Sequence, residues 1–333
     1  MSATSTFANA APLPEKQRTA LKRAIGWQIF TICYTIGTII LVALVMGSSQ
    51  AMKTAWIEDM LSLLPQLSFL IALLFIRRRP TAKYPYGQHR AMSIGHLVAS
   101  VALIAVGAIL AFESAMGLIH GERPTIGTTV ILGHTVWLGW LMVAVMLLIV
   151  IGPLFYGPAK SKLAPVLHNK LLYTDADMAK ADWQTNAASI IGVLGVGIGW
   201  WWLDGAAAVF ISLGILWDGI RNTKAAVSDL IDQRARTFDN KDRHPLADDI
   251  HTYLSTLDWI QESGIRMRDQ GQVLHVEVFI HPRNKAITTA QAQSLTADIH
   301  DLDWKIQDVV IAVCSQIPDY LDTPVDLVGK REQ

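Results

Sequence analysis

The chain has 333 residues, 51% of them hydrophobic and 17% charged, with 28 basic side chains balanced by 28 acidic ones. That charge content is low for a soluble protein, and long apolar runs place the chain in the membrane class. A net charge of zero gives no reason to expect nucleic-acid binding, and Cys33 and Cys314, far apart and in segments of different kinds, imply no disulfide framework.

Residues 1–24 are polar and small, with Lys16, Arg18, Lys22 and Arg23 just before the first apolar run. That run, Ile25 to Met46, is too long for the core of a cleaved signal peptide and reads as an uncleaved membrane helix. Further runs over 52–76, 92–119, 130–157, 183–203 and 205–220 predict six membrane helices within residues 25–236. Pro65 stands six residues beyond Asp59 in the second run, where it frees a backbone carbonyl and invites a kink. His96 and His134 fall in the third and fourth runs and read as hydrogen-bonded interior histidines rather than ligands.

Orientation follows from the basic residues. The N-terminus, Arg77-Arg78-Arg79 with Lys83, the loop with Lys160, Lys162 and Lys170, and Arg221 with Lys224 fall on one side. Lys53 and Arg123 fall on the other, and the positive-inside rule then expects both termini in the cytosol. Trp200, Trp201 and Trp202, in the tight turn before Asp204 and Gly205, suit an interfacial belt.

The stretch from Asp175 to Asn186 carries the chemistry. As a helix it sets Asp175, Met178, Asp182, Thr185, Asn186 and Ser189 along one face. A carboxylate in a membrane-entering helix is expensive, and it faces the bundle interior or a water-filled path. Glu58 and Asp59 bring acids into the second helix, so two acid-bearing helices suggest a cation path. The competing reading, acids capping helix starts in the headgroup region, suits Asp175 and Asp177 better than Asp182.

Beyond Arg236 the composition changes. A polar linker from Phe238 to Pro245 leads into a small soluble α+β domain of the order helix, strand, strand, helix, strand. Leu246–Leu257 and Thr288–His300 have helical spacing, and Val309–Val313 reads as a buried strand. Val273–His281 alternates, with Leu274, Val276, Val278 and Ile280 on an apolar face and His275, Glu277, Phe279 and His281 on a solvated one. The tail from Pro318 has no pattern. The expected organisation is therefore residues 1–24, a membrane domain over 25–236, a small domain over 237–318 and a tail over 319–333.

Several segments together resemble the cation diffusion facilitator, or cation efflux, family of metal exporters. Tyr84-Pro-Tyr-Gly-Gln-His-Arg-Ala91 is similar to that family's His-Pro-Tyr-Gly-His-Gly-Arg-Ala loop. Asp182-Trp-Gln-Thr-Asn186, Leu203-Asp-Gly-Ala-Ala207 and Val227-Ser-Asp-Leu-Ile-Asp232 also fit family habits, over roughly residues 25–315. The resemblance implies an α-helical membrane protein of six transmembrane helices followed by a ferredoxin-like cytosolic domain. It also implies a homodimer in a lipid bilayer, most naturally a bacterial inner membrane.

The family's transport site joins a carboxylate-x-x-x-Asp pair on helix two to a His-or-Asp-x-x-x-Asp pair on helix five. Side chains four apart share a helix face, so two such pairs can enclose a tetrahedral divalent ion. Mapped residue by residue, Asp59, Asp182 and Met178 are the expected metal residues, but Leu63 stands where a second acid belongs. Another register would bring in Lys180 and Gln184, but it misplaces Thr185 and Asn186. A thioether favours ions softer than zinc, and Gln66, Gln184, Asn186 or Glu58 are the donors available to complete the site. In the small domain His275 fits one family metal position and Cys314 stands in the last strand's metal element, though both also read as a strand-face histidine and a small thiol. The chain is thus expected to be no enzyme and to need no organic cofactor. It is expected to export a divalent metal cation (zinc, iron or manganese) in exchange for protons. The alternative is a degenerate member that serves as a scaffold or sensor.

Overall fold

The computed structural model describes residues 13–78, 80–131, 133–271, 273–284 and 286–321. The first twelve residues of the expected N-terminal segment, Arg79 of the basic loop and residues 322–333 of the tail lie outside that range.

Six long helices form a bundle: α1 (Glu15–Val45), α2 (Gln50–Ile76), α3 (Ala91–Ile119), α4 (Leu138–Leu167), α5 (Lys170–Gly197) and α6 (Trp202–Leu230). Among the described residues, five of them are long and apolar enough to cross a membrane, and α5 is not among the five. The reason lies in its own first half, where Asp175, Asp177, Lys180 and Asp182 lower its hydropathy. It packs against α2, α4 and α6, while Trp183, Gln184 and Ile191 stay exposed.

The helix limits correct several expectations. The first helix begins at Glu15, so Lys16, Arg18, Lys22 and Arg23 are its opening turns. The fourth apolar run divides. Its start is a hairpin, β1 (Thr128–Ile131) against β2 (His134–Trp137), and His134 lies exposed on this hairpin rather than in a helix. The helix itself continues through Pro153, Pro158 and Pro165 to Leu167. Lys160 and Lys162 are therefore helical, and Lys160 is completely buried. α2 likewise continues through Pro65.

Small residues set how closely the helices approach. A Cβ on Gly219 of α6 would stand 2.7 Å from the Ile104 backbone nitrogen of α3, and one on Gly107 would stand 2.9 Å from that of Leu216. The Leu203-Asp-Gly turn has a similar role. Asp204 is fully buried and accepts hydrogen bonds from Ser49 Oγ at 2.5 Å and from the Gln50 amide at 2.6 Å. An acid in the first turn of α6 thus satisfies orphan donors at the start of α2 and ties the two helix ends together.

The C-terminal part is a small α+β unit: α7 (Leu246–Ser255), β3 (Ile260–Asp269), β4 (Leu274–Pro282), α8 (Thr289–Leu302) and β5 (Ile306–Val313). The strands lie in the order β3-β4-β5, with β3 antiparallel and β5 parallel to β4. The parallel pair needs a crossover, which α8 supplies. Leu274, Val276, Val278 and Ile280 meet Ile250, Leu254, Leu295 and Ile299 in one core, the layering that the alternation called for. The opposite face departs from expectation, because His275 is buried there.

The unit packs on one end of the bundle through charge. Lys170, the first residue of α5, bonds Asp229 at 2.6 Å and lies 3.6 Å from Asp269. Lys305 reaches Asp269 at 3.2 Å and the His168 carbonyl at 3.3 Å. Burial opposes the charge on Asp269, but Lys305 and Lys170 together hold its carboxyl below the ordinary value. Arg90 donates to the Leu230 carbonyl at 2.7 Å and pairs with Asp232, which Arg268 also approaches at 3.4 Å. We call this end of the bundle the domain end.

Candidate metal centre

Asp59 and Asp182 meet inside the bundle. Asp59 lies three turns into α2 and Asp182 near the middle of α5, and the two carboxylates lie close enough for the Asp182 charge to act on Asp59. Glu58 joins them, within the field of both acids, and accepts a hydrogen bond from Thr185 Oγ1 at 3.2 Å. The other oxygen of Glu58 is buried with no partner. Tyr156 of α4 donates to Asp182 Oδ2 at 3.4 Å. Its ring meets Tyr34 of α1 edge-on with centroids 6.1 Å apart, and Thr38 of α1 stands beside Asp59.

Other expected donors are placed differently. Met178 packs into an apolar cluster with Leu61, Leu103, Ile211 and Ile215, one turn from Asp182. Asn186 turns its amide to the Asp182 backbone carbonyl at 2.7 Å, the ordinary local bond of such a side chain in a helix. Gln184 is exposed. Gln66 is buried, with its Oε1 unpartnered. His96 is buried beside Asn222. Among the described residues, no three His, Cys, Asp or Glu side chains converge closely enough to hold a metal by themselves. What the centre offers is a carboxylate-rich, oxygen-donor environment with hydroxyls around it. Such donors suit hard divalent ions.

The acids do not stand alone. Three turns of α1 present Gln28, Thr31, Thr35 and Thr38 inward, all buried. Beside them Lys160 Nζ donates to Asp175 Oδ2 at 2.7 Å and to Gln28 Oε1 at 3.3 Å, and Gln28 Nε2 donates to the same Asp175 oxygen at 2.7 Å. Lys160 also lies 5.1 Å from the centre of the Tyr156 ring. A polar column thus runs from the domain end to Asp182 and Asp59. The polar positions of α1, three and four apart in an otherwise apolar helix, were a visible signal of it. Lys160 was not, because three prolines disguised the end of α4.

In the small domain the strand pairing separates the two candidate residues. His275 is paired with Asp308, while Cys314 follows Val313, the partner of Ile280. Six strand residues, from Asp308 to Cys314, put them ~20 Å apart. His275 Nδ1 is 3.5 Å from Asp308 Oδ2 and its ring meets Tyr86 of the bundle loop at 5.9 Å between centroids. Burial and the nearby Arg268 and Arg90 hold the imidazole below its usual value, against the pull of Asp308. Cys314 packs near the Ile280 carbonyl, and burial pushes its thiol up.

Comparison with known proteins agrees with the bundle. Residues 27–231 match the model of the cation efflux transmembrane domain. The manganese efflux system protein MneS of Bacillus subtilis (strain 168) is 26% identical over 239 residues, covering 70% of this chain and 73% of its own. The uncharacterized transporter YdbO of the same organism is 22% identical over 263 residues, covering 76% of this chain and 80% of its own. The family match takes in more than half of the chain and every helix around the acids, and the protein therefore belongs to the cation efflux family: it is a multi-pass membrane transporter that exports metal cations, and not an enzyme.

Proposed function

We propose that the protein exports a divalent transition-metal cation, with manganese first in order, in exchange for protons. Asp59 and Asp182 are the carboxylates that bind the ion, and Met178 borders them without being needed as a ligand. The observation that carries this reading is that α2 and α5 bring their acids to one place inside the bundle: Thr185 of α5 bonds Glu58 of α2 at 3.2 Å, and Asp182 lies close enough to act on Asp59. Two carboxylates in a region of low dielectric share one charge problem: either a divalent cation or protons must neutralise them. Exchange of one for the other follows from that competition. Oxygen donors without a histidine suit manganese, a hard ion, and the relative MneS is named for manganese efflux.

In this reading all six long helices span the bilayer. α5 has 28 residues, and at ~1.5 Å per residue it is long enough to do so. The chain works as a homodimer in a bacterial inner membrane, with both termini and a ferredoxin-like domain over 237–318 in the cytosol.

Purified protein in liposomes tests this. Manganese uptake should require an opposing proton gradient, and Asp59→Asn or Asp182→Asn should reduce it to the level of empty liposomes while the protein stays folded. Wild-type uptake in both variants would remove the site assignment. Uptake indifferent to collapse of the gradient would remove antiport. No uptake by the natural chain would favour a scaffold or sensor, the reading to which Leu63 and Met178 at ligand positions lend support.

A further inference from the structure

The ion pair in the polar column has a chemistry of its own. Lys160 and Asp175 have side chains 0% and 7% exposed, and Gln28 is 0% exposed. Asp175 and Asp182 are seven residues apart on α5, two turns on the same face, with Asp175 nearer the domain end by ~10 Å. The two acids are joined by Lys160 and Tyr156, since the lysine sits over the ring whose hydroxyl bonds Asp182. A cation travelling the column between the domain end and Asp182 would meet Asp175 and Gln28.

The donors at that point are those of a cation site. One carboxylate oxygen and one amide oxygen face the same cation, and the Tyr156 ring presents its π face to it. The cation present is an ammonium tethered to α4. Lysine is a compact charge on a flexible four-carbon stem, so it can leave such a place and return. A structural pair would lock two helices; this one also joins α1, α4 and α5 at the point where the polar wall begins.

We propose that Asp175 and Gln28 form a second site for a divalent cation, on the route to Asp182, and that Lys160 occupies it as a tethered competitor. The ammonium closes the column when no ion is passing and is displaced by the ion that enters. This rests on the bundle as a cation path but not on Asp59 and Asp182 as ligands.

The experiment measures manganese bound per chain on the full-length protein in detergent, by equilibrium dialysis and metal analysis. The background is Asp59→Asn with Asp182→Asn, so that the first site is silenced. Adding Lys160→Ala should raise bound manganese by one equivalent per chain, and adding Asp175→Asn to that should remove the increment. Equal manganese with and without Lys160 overturns the proposal, as does an increment that survives Asp175→Asn. If Lys160→Ala leaves the chain misfolded, rescue of its monodisperse elution by manganese is the expected result. Rescue by Asp175→Asn but not by manganese shows a purely structural pair and also overturns the proposal. Residual manganese in the background itself counts against Asp59 and Asp182 as the ligands, and leaves the increment as the test of this site.

Discussion

Gly219→Ala, set beside Gly214→Ala on the same helix, tests how closely α3 and α6 approach. At Gly219 the new methyl would stand 2.7 Å from the Ile104 nitrogen, 2.9 Å from Ile104 Cγ1 and 3.1 Å from the Leu103 carbonyl carbon. Non-bonded heavy atoms are at ease near ~3.5 Å, so the helices must part by most of an ångström, and two of the three obstructing atoms are backbone. Overpacking of this kind costs about 1–3 kcal/mol. Alanine returns roughly 1 kcal/mol through helix propensity, leaving Gly219→Ala net destabilised by up to about 2 kcal/mol. At Gly214 a Cβ meets nothing within 4 Å, so only the propensity gain of roughly 1 kcal/mol remains. Thermal unfolding of the full chain in detergent, followed by tryptophan fluorescence, should rank Gly214→Ala at or above the natural chain and Gly219→Ala below it. Gly107→Ala, opposed by the Leu216 nitrogen at 2.9 Å, should fall with Gly219→Ala. Equal midpoints for Gly214→Ala and Gly219→Ala would refute the close α3–α6 contact and the packing argument built on it.

Asp269→Asn removes the carboxylate shared by Lys305 and Lys170 at the domain end. Leaving Lys305 buried without its counter-charge should cost about 3–5 kcal/mol, read as earlier thermal release of the small domain; an unchanged midpoint would show the cluster to be solvated. Because the folded Asp269 titrates below its unfolded value, its stabilisation is present above the ordinary aspartate range near pH ~3.9 and is lost as the pH falls further. His244 behaves oppositely in range. Burial, with Lys305 and His168, depresses it to about 4, so between the unfolded value of ~6.5 and about 4 the unfolded chain alone takes the proton. Hydrogen-exchange protection in α7, taken relative to the intrinsic amide rate at each pH, should fall as the pH drops through that interval, and His244→Gln should flatten the dependence. Thr288 and Gln291 form a reciprocal capping box at the start of α8. Thr288→Ala should destabilise that helix by about 1 kcal/mol, seen as faster exchange of the Gln291 amide.

Patterns of period and run length were legible in the chain. The apolar runs located the bundle helices to within a few residues wherever a run and a helix coincide, as at 52–76 and 92–119. The even face of Val273–His281 was readable because one side of a strand must meet a helix layer. Limits set by something other than hydropathy were not readable. α1 starts at Glu15 because an exposed polar turn can extend a helix past the apolar core. α4 starts late because the Gly133 turn, with φ +83, folds the first part of its run into a hairpin. Met178 stands at a ligand position only by the family resemblance, and its side chain packs among apolar residues of α2, α3 and α6.

The sequence by itself determined a bundle of long helices with a small α+β unit behind it, and marked Asp59 and Asp182 as misplaced charges. Local spacing suffices for that, because it fixes which face of a helix or strand is apolar. Only the tertiary structure decided which distant residues complete those faces. It brought Asp59 to Asp182, Lys160 and Gln28 to Asp175, and Asp308 rather than Cys314 to His275. Each of these partnerships crosses between elements, and the partner of a buried charge is set by helix crossing and strand register, which no run of residues records.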